Sequence, residues 1–423
     1  MTDPKPVCTD KTKAVIAALR ADPVIAKAIQ QCEEQHQQRI DDQVKLTEIP
    51  APPFHEEVRA DALVEMFKQY GVENAHKDTI GNVIGRVKGS GNGPVLVIGA
   101  HIDTVFKEGT DCTVRKEGNV YYAPGISDDA GGLAGMLQVM RCVTQNNIKP
   151  VGDIVFVGTL GEEGNGDLRG CKALFKEKND YDGMIAIDSA NVHRILRGAV
   201  GCKRFRIIFE SMGGHSLHKF GIVGSSIHGL ARAITMVDNL EAPQDPKCTF
   251  NFGVIKGGTS VNAIAARAEA ELDIRSFNQP SLEAFVEKIL ATIKQACEDE
   301  NKRWNLEGEN AVRLIIEQIG DRPAGMNADD ASVIQAAYGA LLSLDISLDK
   351  YTLAATDQNV PLYYGLPATT LGAGGTEANN HALSESWDST DAFQGPQVAF
   401  LTAMTLVGVQ GVTEPILEKA KHE

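Results

Sequence analysis

Residues 94–103 read PVLVIGAHID: an apolar run that closes on His101 and Asp103. A short run of this kind, rich in Val and Ile and bounded by turn residues, predicts a strand buried on both faces, as at the centre of a parallel sheet. Working outward, NVIGRVKG (82–89), DIVFVGTLGEE (153–163) and GMIAIDSA (183–190) repeat the pattern, each ending in glycine or acid. Helix-like stretches lie between some of them, including LAGMLQVMRCV at 133–143. Strands alternating with helices imply an α/β fold on a doubly wound, largely parallel sheet.

Upstream, a polar segment of helical character leads to prolines at 50, 52 and 53. HEEVRADALVEMFKQYG (55–71) then carries Val58, Ala62, Leu63 and Met66 at helical spacing. Near residue 199 the pattern changes. KRFRIIFES, SSIHGLARAITMVDNL, TFNFGVIKGG, ARAEAELDIRS, SLEAFVEKILATIKQACEDENKR and AVRLIIEQIG read as β-α-β-β-α-β, the ferredoxin-like order. Helix and strand signals resume at ADDASVIQAAYGALLSL and LPATTLGAGG. A chain of 423 residues is too long for one ordinary core. The division expected is an α/β domain in two parts, 1–198 and 321–423, split by an inserted α+β domain at 199–320.

Composition excludes several classes. Apolar residues make up 43% and charged residues 23%, ordinary for a globular protein. A net charge of −15 argues against nucleic acid and against an anionic membrane surface as partners. Eight scattered cysteines with no C-x-x-C pair point to reduced thiols. The N-terminal residues lack the basic-then-apolar pattern of a signal peptide, and no apolar run reaches the length of a membrane span. The expectation is a soluble, cytoplasmic protein.

Acids and histidines fall where the strands end. His101 and Asp103 close one, Glu162 and Glu163 another, Asp188 a third. GISDDAGG (125–132) sets Asp128 and Asp129 side by side at the mouth of an apolar helix, and His381 stands in GGTEANNHALSE (374–385). Singly, each has an ordinary reading: a polar pair at a strand end, a solvated turn, acids that complement a helix dipole. Together they meet at the carboxyl edge of one sheet, where α/β proteins build their sites. The side chains are imidazole and carboxylate, a donor set suited to zinc. No G-x-S-x-G or H-E-x-x-H occurs, and GSGNGP (89–94) precedes a strand instead of following one, so it reads as a turn and not a dinucleotide fingerprint.

In this order and spacing, GAHIDTV, GISDDAGG, GEEGNGD, IDSA, GGH at 213–215, GGTSVNAIA with LDIRS, and NNHALSE resemble the cocatalytic dinuclear zinc exopeptidases and amidohydrolases. That family includes peptidase T, carboxypeptidase G, aminoacylase and succinyl-diaminopimelate desuccinylase, and the resemblance runs from about residue 40 to the C-terminus. It implies a catalytic α/β domain with an inserted lid. It implies that Asp128 bridges two zinc ions, one completed by His101 and Asp188, the other by Glu163 and His381. Cobalt or manganese could stand in zinc's place. It also implies a cis peptide between Asp128 and Asp129, with Asp129 not a ligand. Asp103 suits an orienting role, accepting the second imidazole N–H of His101. Glu162 would be the general base toward a water bridging the metals.

In the lid, His215 matches a family histidine that stabilises the tetrahedral intermediate, often in a neighbouring subunit's site, while Asn262 and Arg275 match residues that hold the substrate. The structural alternative for Arg275 is a salt bridge within the lid. His218 and His228 have no counterpart and read as surface residues. The resemblance allows a homodimer through the lid. It implies hydrolysis of short peptides, aminopeptidase action favoured, with N-acyl-amino-acid deacylation or carboxypeptidase action as alternatives and an inactive binding protein as a remote one. Asp188, where deacylase branches tend to carry glutamate, leans toward peptidase. ATDQNVPLYYGLP (355–367) departs from the glycine-rich version expected there.

Overall fold

The computed structural model describes residues 5–176 and 180–421, and divides into two compact units. One comprises the chain up to Ala199 and from Met326 onward; the other is Val200–Gly325.

In the first unit, the strand Val95–His101 is buried along its whole length. It lies parallel to Asp153–Thr159 on one side and Gly183–Ile187 on the other. Ala368–Leu371 extends the parallel set beside Gly183–Ile187. The sheet is mixed at its flanks: Val83–Val87 runs antiparallel to Asp153–Thr159, and Arg194–Ala199 meets Ala368–Leu371 antiparallel at one pair. Alternation along the central strand explains the double winding. Leu96, Ile98 and Ala100 join a core with Leu133, Met136, Leu137, Met140 and Phe400, whereas Val95 and Val97 join Leu168, Cys171, Leu174, Phe175 and Val360. Both faces therefore need helices, and both have them.

The helix Ala130–Gln145 is buried from Ala130 through Val143, and Asp129 caps it by accepting the Gly132 N–H at 2.9 Å. Three helices, Asp10–Ala21, Pro23–Glu34 and His36–Thr47, form the N-terminal layer. Pro23 takes the first helical position behind the cap Asp22, where the missing N–H costs nothing. Helix His36–Thr47 is locked to Ala130–Gln145 by an ion pair between Asp42 and Arg141, both buried, with the Tyr70 hydroxyl donating to Asp42 at 2.7 Å.

The second unit is β-α-β-β-α-β, as the sequence predicts. Its strands stand in the order Cys248–Gly257, Arg267–Ser276, Gly201–Glu210, Arg313–Arg322, each antiparallel to its neighbour. This is the ferredoxin-like arrangement. Helices Ser226–Asp238 and Gln279–Trp304 share its core with Ile207, Phe209, Ala270, Leu272 and Ile274. Intervening strand residues pair by charge, Arg206 with Glu271 and Glu317, Arg267 with Glu210 and Glu269. Among the described residues no helix is long and apolar enough to cross a membrane.

Removing one partner of a buried pair strands the other charge, at a cost of about 3–5 kcal/mol. Asp42→Ala is expected to destabilise the protein by about that amount. Urea unfolding checks it, and a midpoint unchanged from the parent would show that the pair does not lock the helices.

Candidate metal centre

The register that sets His101 opposite Thr159 brings the loop after Thr159 beside the loop after His101. Asp103, wholly buried, ties them: its two carboxylate oxygens accept the Glu162 N–H at 2.9 Å and the Glu163 N–H at 2.8 Å. This differs from the sequence expectation. The His101 Nδ1–H goes to the Asp103 main-chain carbonyl at 2.9 Å, and the carboxylate lies 3.8 Å from it. The residue still orients the ring, through its backbone. Its side chain aligns the two glutamates.

With Nδ1 held, Nε2 of His101 faces Asp128 Oδ1 at 3.0 Å. Asp128 Oδ2 meets Nε2 of His381 at 3.0 Å, and the same nitrogen lies 3.1 Å from Glu163 Oε1. One carboxylate thus spans two imidazoles. Asp188 is held on the remaining side by the Thr356 hydroxyl, 2.8 Å from its Oδ2. Donor atoms of His101, Asp128 and Glu163 lie within 4.8 Å of one another, as do those of His101, Asp129 and Asp188. Asp129 belongs to that second group by distance, yet its two oxygens already accept the N–H groups of Gly132 and His101. It braces the site from beneath.

The turn that carries Asp128 is fixed by Glu385, a residue quoted within NNHALSE but given no role by the sequence. Its carboxylate, fully buried, accepts the N–H groups of Gly125 (3.0 Å), Ser127 (2.9 Å) and Asp128 (3.1 Å) and the Ser127 hydroxyl (2.9 Å). Gln43 adds a hydrogen bond to the Ile126 carbonyl at 2.6 Å. The Asp128–Asp129 peptide is cis.

The electrostatics of the cluster is set by its acids. Burial raises the pKa of Asp129 well above the carboxylate range, and burial followed by the charge of Asp128 raises Asp188. Burial opposes ionisation of Asp128 as well, but the hydrogen bonds from His101 and His381 outweigh it and hold its pKa below the usual range. The partners Asp128 and Glu163 push His381 up to about 10. Burial works against charge on His101, yet Asp129 and Asp128 raise its pKa well above the ordinary value. Both imidazoles are thus drawn into protonation by acids that outnumber them. The donor set, the shared carboxylate and the acid excess all fit a pair of divalent cations.

Glu162 is buried beside Glu163, its N–H on Asp103. In the second unit, His215 stands opposite Ala263 in a short antiparallel pairing, and Ser216 N–H reaches the Asn262 carbonyl at 3.0 Å. His215 and Asn262 line a cavity of about 730 Å³. Arg275 lies outside that lining and pairs with Asp273 at 2.7 Å, within its own sheet. His218 is not isolated: its ring centroid lies 4.7 Å from that of His215. Thr356 and Asp357 were missed too. The Asp357 carboxylate accepts the Thr159 hydroxyl with one oxygen, and the other is buried without a partner.

A sheet edge that gathers these donors defines an α/β protein with a candidate site for divalent metal. Residues 97–404 match the family described as Peptidase family M20/M25/M40, and the chain belongs to it. Carboxypeptidase G2 of Pseudomonas sp. (strain RS-16) is 26% identical over 215 residues, 49% of this chain and 50% of that one. The cytosol non-specific dipeptidase of Escherichia coli (strain K12) is 24% identical over 355 residues, covering 75% and 71%. Among solved structures, aminopeptidase PepT from Bacillus cereus ATCC 10987 superimposes with a TM-score of 0.71 at 21% identity, covering 87% of this chain and 97% of that one. A Bacillus subtilis protein described as a dinuclear metal binding peptidase from the M20 family gives 0.64 at 17% identity, covering 89% and 99%.

Two measurements test the supports. In Glu385→Gln an amide donor can face the Gly125 N–H, so a loss of about 1–3 kcal/mol is expected, with weaker uptake of divalent metal. Unchanged urea midpoint and metal affinity would remove Glu385 from the site. Burial pushes Asp357 up to about 6, against the Thr159 hydrogen bond. Its contribution to stability is therefore present below about pH 4 and lost as pH rises through about 6. In protein stripped of metal, Asp357→Asn should gain stability relative to the parent at pH 8, by up to about 3 kcal/mol, and show little gain at pH 4. A gain independent of pH would contradict this.

Proposed function

We propose that the protein is a dinuclear zinc exopeptidase that removes the N-terminal residue of short peptides. The observation that carries the reading is the Asp128 carboxylate shared between His101 and His381, with Glu163 and Asp188 at its flanks. His101 and Asp188 would hold one ion, Glu163 and His381 the other. Bound there, the metals would polarise the scissile carbonyl and make water acidic enough to be deprotonated near neutral pH.

The chain supplies the rest. Glu162 takes a proton from the attacking water and returns it to the departing nitrogen, so one carboxylate serves as base and then acid. Asp103 makes that relay geometrically definite: by gripping both N–H groups it fixes where the Glu162 and Glu163 side chains leave the backbone. Adjacent residues on extended chain diverge, so one can hold metal while its neighbour meets the water. In the second unit, His215 and Asn262 would contact substrate from the cavity they line, whereas Arg275 would need to leave Asp273 to do so. The exposed Val254 and Ile255 on the outer strand Cys248–Gly257 support a homodimer through that unit. The free thiols suit a reducing, cytoplasmic setting.

Aspartate at 188 favours peptidase over deacylase. A second reading, N-acyl-amino-acid hydrolysis, is supported by a relative named N-acetylcysteine deacetylase, 24% identical over 225 residues. The test is mass spectrometry of zinc-loaded protein with a tripeptide and, separately, its N-acetylated twin, Glu162→Ala serving as the blank. Loss of the N-terminal residue from the free peptide alone is expected, with at least a hundredfold drop in Glu162→Ala, the lower end of what a general base contributes (about 10²–10⁴). Acetate or a C-terminal residue released from the twin would move the enzyme to the deacylase or carboxypeptidase branch. An active Glu162→Ala would overturn the mechanism.

A further inference from the structure

Pro52, Pro53, Phe54 and His55 form a tight turn closed by the His55 N–H on the Pro52 carbonyl at 2.9 Å. Pro53 takes its second position, where a fixed negative φ is wanted. Phe54 takes its third, with φ of +74°. Left-handed backbone at that position calls for glycine or asparagine, and for a bulky aromatic residue it is an outlier. Burial does not explain the exception, since Phe54 is 62% exposed. A ring kept in an unfavourable conformation and turned toward solvent invites a functional reading.

The turn is anchored on both flanks to the candidate active site. Just before it, the Ala51 carbonyl accepts the Thr104 N–H at 2.9 Å, one residue past Asp103. Just after it, Glu56 grips Arg169 Nη2 with both carboxylate oxygens at 2.7 Å. Arg169 in turn packs against Gly161, the residue before Glu162: a Cβ on Gly161 would stand 2.0 Å from its Nη1. Phe54 sits on this guanidinium, 4.6 Å from ring centre to Cζ. One face of the ring is thus covered by a cation that Glu56 and Gly161 immobilise.

From this we infer that Phe54 is a specificity-determining residue, an aromatic shelf at the rim of the site for a large apolar or aromatic side chain flanking the scissile bond. The inference rests on the hydrolase reading above and adds the substrate class. Arg169 beneath the ring weakens its attraction for a second cation, so a lysine side chain should be disfavoured where leucine or phenylalanine is accepted.

The experiment is kcat/KM on Phe-Gly-Gly, Leu-Gly-Gly, Ala-Gly-Gly and Lys-Gly-Gly and on the corresponding N-acetyl amino acids, for the zinc-loaded parent, Phe54→Gly and Phe54→Tyr, with melting temperatures. The parent should prefer phenylalanine and leucine over lysine at least tenfold. In Phe54→Gly the phenylalanine-to-alanine ratio should fall at least fivefold, mostly through KM, while the melting temperature holds or rises because glycine suits the left-handed position. Phe54→Tyr should retain the preference. An unchanged ratio in Phe54→Gly, an equal loss on every substrate, or a lowered melting temperature with unchanged selectivity would overturn the inference while leaving the hydrolase reading in place. A parent inactive on peptides and acyl amino acids alike would overturn both.

Discussion

Carboxylates crowded at a buried sheet edge repel one another and resist burial, and the fold of the larger unit is organised around containing them. Asp103 and Asp129 are fully buried, Glu162 and Glu163 nearly so, and Asp128 and Asp188 stand between them. Left alone, such a group would lower its energy by taking up protons or by spreading apart. The protein prevents spreading by assigning main-chain N–H donors to three of its buried acids. Asp103 takes those of Glu162 and Glu163, Asp129 those of Gly132 and His101, and Glu385 those of Gly125, Ser127 and Asp128. Asp128 stands apart from these, its two oxygens each facing an imidazole.

Positive charge under the site comes from arginines with few acidic partners. Arg59, fully buried, donates to the carbonyls of Ile49 and Ile102 at 2.7 and 2.9 Å, directly behind Asp103. Burial lowers its pKa to about 10, against the opposing pull of Cys112, Asp103 and Asp129. Arg39 reaches the Ala373 carbonyl at 2.9 Å from beneath Gly131, with Trp387 against its guanidinium. Such residues stay cationic at neutral pH even when desolvated, so they act as fixed counter-charges. They also bind the N-terminal helices to the strand ends, coupling the helical layer to the geometry of the acids.

Much of this was legible in the sequence, for a physical reason. A strand buried on both faces is apolar along nearly all its length, so the polar residues that close the run mark the carboxyl edge of the sheet. His101, Asp103, Glu162, Glu163 and Asp188 are such residues. The inserted unit announced itself by a change from continuous apolar runs to alternation, and its strand order follows from β-α-β-β-α-β succession. The supports were not legible. Glu385 and Thr356 act on backbone and side-chain atoms that are distant in sequence, and hydrogen bonds of this kind leave no periodic trace. Asp103 shows the same limit within a three-residue motif, where residue type could not tell a carbonyl acceptor from a carboxylate one. Arg275 was ambiguous from the start, because a strand arginine two places from an aspartate can reach a substrate or its own neighbour.

The Asp103 grip also bears on why two glutamates stand together. In the proposed mechanism Glu162 and Glu163 would need fixed and different directions, one toward metal and one toward the reacting water, on a loop that begins where the sheet ends. Holding the loop by consecutive N–H groups fixes the divergence of the two side chains through the backbone. The partner that does this must be an acceptor with two oxygens, short, buried and rigidly connected to the histidine whose ring it also orients. Aspartate two residues after His101 meets every one of these demands. Glutamate would add a rotatable bond, and asparagine would present a donor to one of the two N–H groups.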